Sequence, residues 1–268
     1  MTAPPMKISI VTISYNQAGF LERAMRSVLD QDYADIEYIV VDPGSTDGSR
    51  ALIERYGHRL SCVVLDPDDG PADGLNHGLA VATGEIFAFL NADDCLLPGA
   101  VRAAMDAFRA HPDSDVLYGH GLIEDVRLGR SRRVLATAPI SPWRLAHGGA
   151  FLLQQASFYR TDAVRAVGGF NPANRTCWDG ELVAELLLAG RRFRRLPADL
   201  AVFTLHADSI SGAGMLEARY HADWAQVCRR LTGRGPHWLD PARRLAARGL
   251  KWAENPGALA ARLGWGQP

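Results

Sequence analysis

Through the first 120 residues the apolar positions fall into two alternating kinds of run. Short, nearly continuous runs at Ile8–Ile13, Ile36–Val41, Leu60–Leu65 and Glu85–Leu90 predict strands buried on both faces. Between the first two, Ala18 to Asp30 carries Phe20, Leu21, Ala24, Met25, Val28 and Leu29 at helical spacing. Helices are also predicted over Thr46–Tyr56, with Ser45 or Thr46 as its cap, and over Ala72–Val81 and Pro98–Ala110. A strand follows at Val116–Tyr118. This alternation predicts an α/β fold with a mainly parallel central sheet and helices on both faces. After residue 120 the pattern changes. Leu122–Val126 and Ser131–Leu135 flank a Gly-containing turn and predict a hairpin. Residues 150–212 mix short strands, Leu200–Phe203 among them, with a helix from about Gly180 to Ala189.

The predicted strands end in polar residues. Phe87-Ala88-Phe89-Leu90 runs into Asn91-Ala92-Asp93-Asp94 and turns at Pro98. Ligands of open α/β sheets bind at the C-terminal ends of the strands. Two adjacent carboxylates there are costly unless a cation or water reaches them. Hard cations such as Mg²⁺ take a few carboxylate oxygens and complete their shell with substrate phosphate. The segment therefore points to a metal-diphosphate site; the competing reading is that Asp93 and Asp94 cap the helix near Pro98. Asp42 likewise follows a buried strand, in Asp42-Pro43-Gly44-Ser45-Thr46-Asp47-Gly48, where a carboxylate can accept a pyrimidine imide N–H. The first strand ends in Ser14-Tyr15-Asn16.

With these pieces in order, the chain resembles a family 2 glycosyltransferase of the GT-A fold. The matching motifs are Val11–Asn16, Val41–Ser49, Asp73–Ala80, Ala82–Glu85 and Phe89–Asp94. A fainter match continues through Gln155–Arg160, Gly168–Phe170, Trp178-Asp179 and His206–Ser211. The resemblance implies an inverting enzyme that uses a nucleotide-sugar donor and Mg²⁺ or Mn²⁺. UDP is favoured because Asp42 suits a uracil imide, while thymine offers the same edge and guanine a similar N–H. It implies nucleotide-binding roles for Thr12, Ser14, Asn16, Asp42, Ser45, Asp73, Asn76, Asn91, Ala92 and Asp93. Asn91 replaces the first Asp of the Asp-x-Asp motif found in many relatives, and Asp73 has an alternative role as a helix N-terminal acid. Metal ligation falls to Asp93 and His206, and the loop closing over the donor carries Ser209 and Ser211. Gln155 and Trp178 belong to the acceptor side, although Gln154 stands where relatives often have His. Asp179 is implied as the general base, against an alternative as a helix cap, and Glu181 is the second candidate. The acceptor is a sugar, lipid-linked or other hydroxyl, as in surface polysaccharide or glycoconjugate biosynthesis.

Composition narrows the remaining classes. A net charge of −1 gives no basic footprint for a nucleic-acid partner. Cys62, Cys95, Cys177 and Cys228 are too scattered for a zinc site or disulfide framework. No signal-peptide pattern or membrane-length apolar run is present, so a cytoplasmic location is expected. The resemblance divides the chain into a transferase domain at 1–212, with a donor half to about 120 and an acceptor half beyond, and an extension at 213–268. The extension holds nine Lys/Arg against four Asp/Glu and includes Trp224, Trp238, Trp252 and Trp265. It reads either as a helical cap on the domain or as a segment lying on an anionic inner-membrane surface. Two other functions compete: a sugar-1-phosphate nucleotidyltransferase, which needs a basic Gly-rich loop where this chain has Ser14–Phe20, and a non-catalytic nucleotide- or sugar-binding module.

Overall fold

The computed structural model describes residues 6–207 and 217–263. Its N-terminal half is the expected alternation: β1 (Ile8–Ile13), α1 (Ala18–Leu29), β2 (Ile36–Val41), α2 (Ser49–Tyr56), β3 (Cys62–Val64), α3 (Pro71–Val81) and β4 (Ile86–Asn91). A short β5 (Cys95–Leu96) and α4 (Ala100–Ala110) lead to β6 (Val116–Asp125) and β7 (Arg130–Val134). Then come α5 (Pro142–Ala146), β8 (Ser157–Arg160), α6 (Thr161–Ala166), α7 (Trp178–Leu188) and β9 (Phe193–Leu205). The C-terminal helices are α8 (Glu217–Thr232), α9 (Asp240–Glu254) and α10 (Pro256–Leu263).

The nine strands of the described residues join one mixed sheet in the order β3-β2-β1-β4-β8-β6-β9-β5, with β7 also on β6. The three pairings among β3, β2, β1 and β4 are parallel. Successive side chains on these strands enter opposite cores, as the period of two requires. Ile8, Ile10, Tyr38, Val40, Ile86 and Ala88 face α1 and α4. Val11, Ile39, Val41, Phe87 and Phe89 face α3, α6 and α7. Both faces are thus covered, which is why the strands read as unbroken apolar runs.

Three expectations are corrected. The second helix starts at Ser49, because Ser45 is drawn into the preceding turn, where its N–H donates to Asp42 Oδ1 at 2.8 Å. The pieces at Val116–Tyr118 and Leu122–Val126 form one strand, β6. Gly119 and Gly121 hide this in the sequence, but both are needed. A Cβ on Gly121 would stand 2.4 Å from the Ala201 carbonyl oxygen, and one on Gly119 2.4 Å from Leu200. Finally, the strand at Leu200–Phe203 is the end of the longer β9, whose first half is masked by Arg194 and Arg195.

Candidate active site

The parallel strands end level. Ile13 stands in register with both Val41 and Asn91, so the loops after β1, β2 and β4 open side by side. Two loops are stitched together by Asn16, whose N–H donates to Ser45 Oγ at 2.8 Å while its Oδ1 accepts from Thr46 N at 2.8 Å. Asn16 sits at φ 51°, a left-handed conformation that Asn tolerates better than most residues. Asp42 is fully buried behind this stitch. Its Oδ1 accepts from Gly44 N, Ser45 N and Arg50 Nε, while Oδ2 has no partner among the described residues.

The two acids after β4 have separate tasks. Asp94 is completely buried and accepts from Thr204 N at 2.9 Å, Gln155 Nε2 at 2.7 Å and Asn91 Nδ2 at 3.2 Å. It ties the end of β4 to β9 and to the turn before β8. Burial, and then the neighbouring Asp93, push its carboxyl well above the usual range, with the three donors opposing them. Asp93 instead faces the crevice. His206 Nε2 lies 3.0 Å from its Oδ2, and the imidazole stacks on Phe20 with centroids 4.4 Å apart. Asp93 Oδ1 and Asn91 Oδ1 are buried without a partner among the described residues. Neither acid caps α4, whose N-cap is Gly99. Among the described residues no group of three or more His, Cys, Asp or Glu forms a closed metal site.

These strand ends form one wall of a cavity of about 900 Å³. Ser14, Tyr15, Asn91 and Asp93 line it on the strand-end side, and Asp68 adds an acid that the sequence did not single out. Trp178 and Asp179 line the opposite side, joined by Tyr220 and Trp224 from α8. Asp179 stands in the first turn of α7, after the N-cap Cys177, so it does not hold the capping position. Burial pushes its carboxyl above the usual range, and backbone N–H groups of that first turn draw it partly back. Glu181 points elsewhere. It accepts from Asn171 Nδ2 at 3.0 Å and Asn174 Nδ2 at 2.7 Å, holding the loop before α7. That loop is also fixed by Asp223 of α8, which accepts from Thr176 Oγ1 at 2.8 Å.

A model of the family described as "Glycosyl transferase family 2" matches residues 9–166, more than half of the chain. The chain belongs to glycosyltransferase family 2. It is 28% identical over 211 residues to an uncharacterized glycosyltransferase of Nostoc sp., covering 75% of this chain and 65% of that protein. It is 31% identical over 196 residues to a PGL/p-HBAD biosynthesis glycosyltransferase of Mycobacterium bovis, covering 67% and 69%. The chain thus spans just under two thirds of the length of the first relative. Two solved structures share the GT-A fold. TarS of Staphylococcus aureus in complex with UDP-GlcNAc superposes with a TM-score of 0.63 at 20% identity, covering 96% of this chain and 84% of that one. A mannosyltransferase of Pyrobaculum calidifontis in complex with GDP-Man and Mn²⁺ gives 0.65 at 19%, covering 98% and 76%.

Within this family 2 chain the expected site residues separate into groups. Ser14, Asn91, Asp93, Gln155, Trp178 and Asp179 share the cavity wall. Gln155 is spent on Asp94, and Gln154 donates to the Phe89 carbonyl at 2.9 Å, so both amides brace the β4 end. Asn16 and Ser45 shape the loops rather than line the cavity. Thr12 and Ala92 are buried in the sheet, with Thr12 Oγ1 2.9 Å from Tyr38 Oη. Asp73 accepts from Asp69 N at 3.0 Å, stabilising the turn before α3. Asn76 is engaged on both amide atoms by the backbone of Phe170. These last four are placed by structural contacts, not by the crevice. Ser209 and Ser211 lie outside the described residues. In the extension, Trp224 turns into the cavity while Trp238 is 81% exposed. No helix among the described residues is long and apolar enough to cross a membrane.

Proposed function

We propose that the cavity is the active site of an inverting glycosyltransferase. It moves one sugar from a nucleotide-sugar donor, with a UDP-sugar favoured, to an acceptor hydroxyl in polysaccharide or glycoconjugate assembly. One observation carries this reading: a single cavity holds Asp93 on its strand-end wall and Asp179, with its raised affinity for a proton, on the other. The bound UDP-GlcNAc and GDP-Man of the two structural neighbours, and the PGL/p-HBAD biosynthesis in the mycobacterial relative's name, support it.

Asp42 keeps one carboxylate oxygen for a base N–H, and the exposed ring of Tyr15 offers the base a stacking face. The hydroxyl of Ser14, buried without a partner among the described residues, is left for the donor. The unpartnered oxygens of Asp93 and Asn91, beside the His206 imidazole, fit a divalent cation whose remaining ligands come from diphosphate. Mg²⁺ or Mn²⁺ held by Asp93 and His206 would supply positive charge to the departing nucleoside diphosphate. Asp179 takes the proton of the acceptor hydroxyl as its oxygen bonds to the anomeric carbon and the bond to the diphosphate breaks. A carboxylate with raised proton affinity suits that task.

Asp179→Asn tests the assignment. Transfer, or hydrolysis of the donor where water replaces the acceptor, should fall by roughly 10²–10⁴-fold while nucleotide binding stays intact. In the parent the rate should rise with pH as Asp179 loses its proton, with a midpoint above the ordinary carboxylate range. An Asn variant working at the parent rate would overturn the base assignment. Thermal shifts with UDP, GDP and dTDP, with and without Mn²⁺, rank the donor base by linkage. Asp93→Ala should remove the metal-dependent part of that shift.

A further inference from the structure

A second cavity, of about 590 Å³, adjoins the first. The two share Ile123 and Phe151 in their walls, so they are neighbours across one layer of side chains. The second lies between β7 and the last two helices. Its lining includes Arg132, Arg133, Lys251 and Arg262 and, among the described residues, no carboxylate. Arg133 is paired with Asp199 at 2.9 Å. Lys251 and Arg262 form no ion pair among the described residues. Instead, Lys251 Nζ stands 4.6 Å from the Trp252 ring centroid and 5.6 Å from that of Phe151, and the Arg262 guanidinium lies 5.6 Å from Trp252. Aromatic faces attract cations, but they do not neutralise them.

We propose that this second cavity is an anion subsite of the acceptor, receiving a phosphate or phosphodiester group between Lys251 and Arg262 against the Trp252 ring. The proposal rests on the transferase reading of the neighbouring site, and it adds a chemical class: the hydroxyl acceptor is a phosphate ester. Burial, followed by Arg262 and Arg248, holds the Lys251 ammonium below its usual range. Burial and Arg262 do the same to Arg132. Lys251 beside Arg262 therefore carries a cost that a bound anion relieves. Phosphate matches it because ammonium and guanidinium donors make their strongest hydrogen bonds to such oxygens. Phe151 lies under Lys251 and also lines the cavity of Asp179, so an acceptor seated by its phosphate extends toward the base.

The test uses the full chain without divalent metal. It is titrated with inorganic phosphate, followed by calorimetry, and with phosphatidylcholine vesicles carrying a polyprenyl phosphate, followed by co-sedimentation. The double variant Lys251→Gln, Arg262→Gln should weaken binding by about tenfold or more. The charge-preserving pair Lys251→Arg, Arg262→Lys should retain it, which separates loss of charge from loss of folding. Binding of free phosphate indicates a soluble acceptor, and vesicle capture lost in the neutral variant indicates a lipid-borne one; either result upholds the subsite. Hydrolysis of a UDP-sugar with Mn²⁺ on the same proteins should be equal in parent and neutral variant. A parent that hydrolyses donor but binds both probes no better than the neutral variant overturns the subsite. A parent that binds phosphate through these two residues yet hydrolyses no UDP-sugar, GDP-sugar or dTDP-sugar overturns the transferase reading instead.

Discussion

At the scale of single residues, type and neighbourhood in sequence located the acids but did not divide their labour. Asp93 and Asp94 are adjacent and chemically identical, yet one faces the cavity and the other is a buried tie to Gln155 and Thr204. Those partners lie 61 and 110 positions away along the chain, beyond the reach of any local pattern. Asn76 shows the same limit. Its place in Asp73-Gly74-Leu75-Asn76-His77-Gly78 implied nucleotide contact, whereas its amide clamps Phe170 N and O at 2.9 and 2.8 Å. Asn76→Ala leaves two backbone groups unpaired and should cost about 1–3 kcal/mol of stability. Urea unfolding measures that loss, and nucleotide-induced thermal shift should be unchanged. A variant of parent stability that no longer responds to nucleotide would restore the nucleotide role.

At the scale of elements, the parallel half was legible because strands covered on both faces leave long apolar runs, and helices leave a 3.6-residue period. The antiparallel half was less legible, since Gly119 and Gly121 interrupt β6 where β9 presses closest. The end of the sheet opposite the cavity holds a device with no sequence signature. Glu37 of β2 accepts from Lys7 Nζ at 2.8 Å, Ser9 Oγ at 2.5 Å and Thr83 N at 2.6 Å, pinning β1 and the entry to β4. Burial alone would raise its pKa, but these donors outweigh burial and hold it at about 2. An unfolded glutamate titrates near 4.3. The folded value is depressed, so the stabilisation is present above the unfolded pKa and is lost as pH falls through the folded one. Glu37→Gln should be less stable than the parent at neutral pH, with the gap closing between about pH 4.3 and about 2. Urea midpoints across that window check it; a gap independent of pH would remove the carboxylate from the account.

At the scale of the whole molecule, the C-terminal segment is built into the transferase domain. Val227 and Leu231 of α8 pack with Ala146, Cys177 and Ala184, and Ala247 of α9 is fully buried beside Gly149. Asn255, between α9 and α10, accepts from Ala138 N at 3.1 Å and Arg195 Nη1 at 2.8 Å and donates to the Ala138 carbonyl at 2.9 Å. Asn255→Ala removes these bonds from a buried position and should cost about 1–3 kcal/mol. The variant's thermal melt should drop as one transition, because the helices and sheet share that junction. A separate early transition would show the extension to be an independent unit. The sequence marked this segment by its tryptophans and arginines, but composition cannot say which side of a helix meets a cavity, and so left cap and membrane readings open.

The wall supplied by Tyr220 and Trp224 has a consequence for specificity. The family match ends at residue 166, whereas Asp179, Trp178 and both α8 aromatics lie beyond it. On the proposed reading, the strand-end wall that takes the donor lies within that match, and the base and the wall that takes the acceptor lie beyond it. Exchanging residues 217–263 among relatives should trade acceptor preference and leave nucleotide preference in place.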